Sequence, residues 1–237
     1  MTLLSICQDA ADEIGIIRPT SVASNADPDA QKIFRLANKV GTALMRKVAW
    51  QALRKEKTFT GLASETQTSI LPSDFDRMVP ETFWDRTNKN LISGPISAVQ
   101  WQGLKANDYA DDSRPKFARR GDNILIIPTL GGGESLAFEY VSNQWCESSG
   151  AVAQSAFAAD DDVAKLSEEL ITCGLVYAYL EAEGLPSGAA YGAYEKHLND
   201  ELRNEMGSPG IMVAADIFGG GRHFTGAPPV DGSSSVI

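Results

Sequence analysis

The residues able to do chemistry are few and scattered. Asp160-Asp161-Asp162 is the densest carboxylate run. A calcium loop needs oxygen ligands at alternating positions, a glycine turn and a closing bidentate glutamate, and none of these follows. Three acids opening a helix instead complement its dipole, so capping is the expected role. Gly131-Gly132-Gly133 lacks the Lys-Ser/Thr and the helix that a phosphate cradle requires, and a hairpin turn is expected there. Gly219-Gly220-Gly221-Arg222-His223 lies in a stretch without regular pattern, where nothing rigid preorganises a site. Cys7, Cys146 and Cys173 are far apart and lack CxxC spacing. That argues against a disulfide framework or a zinc site and fits a reducing compartment. Cys7 and Cys173 fall on apolar helix faces and read as core thiols. Only two histidines exist, His197 and His223, and no G-x-S-x-G motif is present. Asp74, Asp76 and Glu81 are the acids a carboxylate-based hydrolase would draw on, but no motif organises them. The expectation is a protein that is not an enzyme, with no metal and no cofactor.

The elements that would position these residues are legible from spacing. Leu3, Leu4, Cys7, Ala10, Ala11 and Ile14 predict an amphipathic helix over residues 2–15, capped by Thr2 and ended at Gly15. Asp27-Pro28 opens a second helix. Its stripe of Ile33, Leu36, Ala37, Val40, Leu44, Val48 and Leu53 predicts a run to about Lys55, roughly 40 Å long. Trp50 is expected in the core. From Thr58 the pattern turns to β. A hairpin is expected from residues 58–60 and 66–71, a strand over 78–86 turning at 87–90, and a short helix over 97–105 capped by Ser97. A second hairpin is expected from 116–120 and 123–127 around Gly121-Asp122, then a strand over 134–142. Residues 146–159 read as a connector. Asp160-Asp161-Asp162 then opens a helix carrying Val163, Leu166, Leu170, Ile171, Leu175, Val176 and Tyr179. A last helix is expected over 188–206, with Tyr191, Tyr194, Leu198, Leu202 and Met206 inward.

The fold class expected is therefore α+β: a four-helix bundle (residues 1–57 and 158–206), an inserted and mostly antiparallel β unit (58–157), and an extended C-terminal tail (207–237). The tail holds seven glycines and three prolines. Its apolar islands, Ile211, Met212, Val213, Ile217, Phe218 and Phe224, read as points that dock on a partner and order on binding.

Composition sets the outer bounds. The chain has 237 residues, 43% hydrophobic and 22% charged, with a net charge of −10, which is a globular balance. No apolar run approaches the ~20 residues of a membrane span, and the carboxylate-bearing N-terminus does not read as a signal peptide. Residues 1–57 carry +3, 58–157 carry −4, 158–206 carry −8 and 207–237 carry −1. An acidic surface is a poor partner for tight, non-specific DNA binding. Such asymmetry suits head-to-tail packing of copies as well as it suits two solvated faces.

Several segments in order (TLLSICQDAADEIGI, TFTG…TSILPSDFDRMV, FWDR…LISGPISAVQWQGLKA, RRGDNILIIPT…GGGESLAFEYVSNQWC and DDDVAKLSEELITCGLVYAYLEAEGL) resemble bacteriophage and prophage head-to-tail adaptor proteins of the podovirus tubular-tail type. The resemblance covers roughly residues 2–206 and rests on order and texture. It implies a homo-oligomeric ring, usually of twelve copies, at the head–tail junction of the virion, assembled in the host cytoplasm. The portal protein and the tail nozzle or next tail component would be its partners. Double-stranded DNA would pass through without specific binding, no membrane would be involved, and the C-terminal segment would grip the portal. A tail-nozzle or head-closure component, and a carboxylate-based hydrolase, are the alternative readings.

Overall fold

The computed structural model describes residues 1–107 and 114–206. Helix α1 (Leu3–Ile14) begins where the Thr2 hydroxyl accepts from the Ser5 N–H, and it stops at Gly15, whose φ of +81° places it in the left-handed region that glycine favours. Helix α2 (Pro28–Lys47) starts as expected, with the Asp27 carboxylate accepting from the Asp29 N–H. It ends eight residues before the expected Lys55. Its last carbonyls are taken by side chains from outside the helix. The Trp50 indole donates to the Leu44 oxygen at 2.6 Å, and Arg77 donates to the Met45 and Val48 oxygens at 3.3 and 2.5 Å. Those bonds satisfy the groups a continued helix would otherwise pair, so the chain turns at Val48 without a glycine or proline. Trp50 is buried, as expected.

After a single 3-10 turn (Gln51–Leu53), strand β1 (Arg54–Thr60) begins four residues before the expected Thr58. It does not pair with β2 (Thr66–Gln67), so the hairpin expected from residues 58–71 is absent. Gln67 explains the break. It is fully buried, and its amide closes the loop onto the Leu62 N–H and the Leu62 and Ser64 carbonyls. The expected strand over 78–86 is also split, into β3 (Phe75–Met78) and β4 (Trp84–Asp85), around Pro80 and a positive φ at Glu81. β5 (Asn90–Leu91) pairs with β4 across the expected turn. Helix α3 (Ala98–Ala106) has a full capping box between Ser97 and Gln100. β6 (Lys116–Arg120) and β7 (Asn123–Ile127) form the expected hairpin around Gly121.

Strand β8 (Ser135–Ser142) organises the β region. It pairs antiparallel with all seven residues of β1 on one side, from Arg54 with Val141 to Thr60 with Ser135. On the other side it pairs with β3 and β4. A second sheet has the order β2-β7-β6. Because β7 and β8 lie in different sheets, Gly131-Gly132-Gly133 joins two sheets and is not a hairpin turn.

The expected connector supplies two strands of a third sheet, β9 (Cys146–Glu147) and β10 (Ala153–Gln154), and residues expected to be helical supply its other edge, β11 (Val163–Ala164), so that β9 lies between β10 and β11. The following helix therefore starts later than expected: α4 spans Glu168–Ala182 and is capped by Ser167. Asp160-Asp161-Asp162 does not cap it. The backbone carbonyls of Asp162 and Asp160 instead accept from the Leu3 and Leu4 N–H groups, satisfying the free donors of α1. The Asp160 carboxylate holds the Val22 and Ala23 amides, and that of Asp162 holds those of Ala158 and Ala159. Helix α5 (Gly188–Met206) matches its expected span.

The architecture is mixed α+β, with five α-helices and antiparallel sheets among the described residues. One core gathers α1, α2 and α4 around Trp145 and Phe157, with Leu198 of α5 at its margin. A second lies between the sheets, centred on Phe83, Phe117 and Phe138. A third, around Trp101, seats α3 on β6 and β7. Met1–Glu205 forms one compact unit.

Candidate functional site

Strand alternation builds a cleft on the sheet of β1, β8 and β4. On β1, Arg54, Glu56 and Thr58 share a face; on β8, Ala137 and Glu139 share the same face of the sheet. Trp84 of β4 stands opposite Ala137, beside that small residue, and stays 39% exposed. The result is a cleft of about 490 Å³ walled by Trp84, Arg86, Glu56, Glu81 and Glu139. Glu56 and Glu139 lie directly opposite each other across β1 and β8. Two like charges so placed repel unless cations answer them. Arg86 donates to both oxygens of Glu56, at 3.1 and 2.7 Å, and Arg54 lies 3.7 Å from Glu139. The Arg86 and Thr58 hydrogen bonds hold the Glu56 carboxyl below its usual range. Asp85 is buried and spends its oxygens on the turn, accepting from the Thr87 and Asn88 amides and from the Asn88 side chain. An exposed indole beside arginine and glutamate is equipped to hold a partner by stacking and charge.

The acids considered for hydrolysis do not converge. Asp74 is buried at the end of β8, where Lys55 donates to it at 2.6 Å, Ser142 at 2.7 Å and Tyr140 at 3.0 Å. Burial alone would raise its pKa; the hydrogen bonds from Lys55, Ser142 and Tyr140 outweigh that and hold it ionised below the ordinary value. Burial, with the Asp74 hydrogen bond behind it, pushes the Tyr140 phenol up to about 12. Asp76 pairs with Arg77 at 2.8 Å on the side of α2. Glu81 opens on the Trp84 cleft. Asp74 and Asp76 thus act as ties between elements, and only Glu81 reaches a cavity wall.

The glycine loop is an anion nest that the chain fills itself. The Gly131 and Gly132 N–H groups donate to the two oxygens of Glu134, at 2.8 and 2.9 Å. Cys7 and Cys146 are buried thiols pushed up to about 12 by desolvation, with Asp160 and Asp162 adding to it. His197 is half-buried, 3.5 Å from Glu169. Among the described residues no group of three or more His, Cys, Asp or Glu is placed to hold a metal ion. No helix among them is long and apolar enough to cross a membrane. The docking candidates Ile211, Met212, Val213, Ile217, Phe218 and Phe224, and the Gly219-to-His223 stretch, lie outside the described residues.

Sequence reading missed the Trp84 cleft. Its walls come from Glu56, residues 81–89 and residues 137–139, which the order β1-β8-β4 brings together. The available signal was the alternation of Trp84 and Arg86, which sets both on one face of a strand. No protein-family model matches the chain, and no curated protein matches it.

Proposed function

We propose that the protein is a structural virion protein, an adaptor ring subunit that joins the portal to the tail and lets DNA pass through its channel. In this reading the helices of residues 1–57 and 158–206 close into a four-helix bundle that forms the ring body. The β unit of residues 58–157 faces the next tail component, with the Trp84 cleft as a contact point. The tail of residues 207–237 docks on the portal through its apolar islands. The observation that carries the reading is the meeting of the segments on either side of the β unit. Helices α1 and α2 share one core with α4, and the backbone of Asp160 and Asp162 completes the start of α1. A β unit inserted into a helical body so closed is a part that can face one neighbour while the body packs sideways against copies.

The test is negative-stain microscopy of the protein mixed with the portal ring encoded in its own genome. The full chain is run beside a version stopped after Met206. An added ring with the full chain alone supports the adaptor and puts its anchor in the tail. An added ring with both moves the anchor to the folded body. No added ring with either overturns the reading.

A further inference from the structure

Helix α5 is poorly covered for its length. It runs nineteen residues, yet among its described side chains Leu198 alone is buried. Gly188 and Gly192 lower its intrinsic helicity further. Helices in proteins are held chiefly by the face they bury, so this one has room for another cover. Its seam with α4 carries an aromatic cluster. The Tyr177 ring lies 5.2 Å from Tyr191 and 6.2 Å from Tyr194, nearly parallel to the latter. Tyr191 is 47% exposed. Two carboxylates rim the cluster. Burial, followed by the Glu181 charge, raises the Tyr177 phenol; burial, followed by Glu195, raises that of Tyr194.

The opposite chemistry stands on α2. Arg35 and Lys39 are exposed, one helical turn apart on one face, and neither pairs with an acid among the described residues. The subunit already uses the matching contact once. Lys32, a turn earlier, pairs with Glu183 and sits 5.2 Å over the Tyr179 ring. A cation over a tyrosine face with a carboxylate beside it is favourable, and tyrosine and arginine concentrate at the energetic centres of interfaces.

We propose that the α4–α5 seam, Tyr177, Tyr191 and Tyr194 rimmed by Glu181 and Glu195, is the docking surface for α2 of a second copy, with Arg35 and Lys39 over the tyrosine rings. The two patches occupy different parts of one chain, as a heterologous contact that repeats from copy to copy requires. This rests on the ring reading above and names the contact that builds it.

The test is sedimentation of the full chain, up to about 1 mM, where even a weak contact is populated. Wild type is expected to associate, and to associate less as salt rises from about 50 mM to about 500 mM. Tyr191→Ala weakens association about 30-fold. The double variants Glu181→Lys/Glu195→Lys and Arg35→Glu/Lys39→Glu each stay monomeric, while their equimolar mixture assembles, because each supplies the charge the other lacks. Wild type that is monomeric throughout overturns the proposal. So do double variants that assemble alone, or a mixture that stays monomeric while both variants keep the wild-type circular dichroism. The adaptor reading fails separately: seam-dependent assembly that never binds the portal ring rejects the adaptor and leaves the seam standing.

Discussion

Gly41 sits in the middle of α2, where helix propensity and packing predict opposite signs for the same substitution. In the isolated helix, Gly→Ala stabilises by about 1 kcal/mol. In the folded chain, a Cβ at Gly41 would lie 2.2 Å from Cη2 of Trp145 and 2.4 Å from Cζ3. Nothing nearby yields easily. Trp145 is fully buried and meets the Phe157 ring edge-on at 4.7 Å. Its Nε1 has no hydrogen-bond partner among the described residues, so packing holds the ring. Overpacking of this kind costs about 3 kcal/mol, at the upper end of the usual range, because the intruding atom meets a rigid ring face. Set against the propensity gain, Gly41→Ala is destabilised by about 2 kcal/mol, a fall in Tm of roughly 4–8 °C for a chain of this size. Gly192, inside α5, is the control: a Cβ there meets nothing within 4 Å. Gly192→Ala should gain about 1 kcal/mol, or roughly 2–4 °C. The assay is urea and thermal unfolding of both variants, followed by circular dichroism. Gly41→Ala as stable as the wild type would refute the packing argument.

Asp74 gives a pH signature. Its pKa is depressed in the folded state, so its contribution to stability is present above the ordinary carboxylate range and is lost as pH falls through the folded value. Asp74→Asn should cost about 2–3 kcal/mol at pH 7, since three donors lose a charged acceptor. Urea midpoints of wild type and variant should converge on acidification below about pH 4; parallel pH curves would show that the network does not hold the ionised form. The thiols offer a labelling test. Desolvation raises Cys7, Cys146 and Cys173, but only Cys173 is partly exposed. A thiol reagent at about pH 8 should therefore modify Cys173 first in the native protein, and mass mapping that finds Cys7 or Cys146 labelled ahead of it contradicts the burial.

What was legible in the sequence was whatever local signals decide. Asp27-Pro28, Thr2, Gly15 and the Ser97–Gln100 box each set a helix end through atoms a few residues away, and the hairpin at Gly121 needs only its own turn. The misread ends share a different cause. α2 stops because Arg77, thirty residues on, takes the Met45 and Val48 carbonyls, and no periodicity before that point announces it. Residues 58–71 fail to form a hairpin because β1 finds a longer partner in β8 and Gln67 turns inward. The helix expected to open at Asp160-Asp161-Asp162 begins only at Glu168, because the backbone carbonyls of Asp160 and Asp162 serve the start of α1, some 160 residues earlier in the chain.

The same division runs through the functional residues. An enzyme's site often announces itself by residue types that few other tasks require; a docking surface is made of ordinary tyrosines, glutamates and arginines whose meaning lies in being uncovered. Tyr191 and Tyr194 were read as the inward face of the last helix because their spacing is helical and apolar. The structure buries Leu198 on that helix and leaves Tyr191 nearly half exposed beside Tyr177. Hydropathy cannot separate those outcomes, since a ring packed against its own core and a ring held for a neighbour carry the same letter. What separates them is the count of partners each charge already has. Lys32 has Glu183 and the Tyr179 ring; Arg35 and Lys39, on the same helix, pair with no acid among the described residues. Exposed cations on one face, and an exposed Tyr191 beside the half-buried Tyr177 and Tyr194 on another, cost little in a monomer and are the two halves of the contact proposed above. That is why the proposed contact is placed at the seam between α4 and α5 rather than in a cavity.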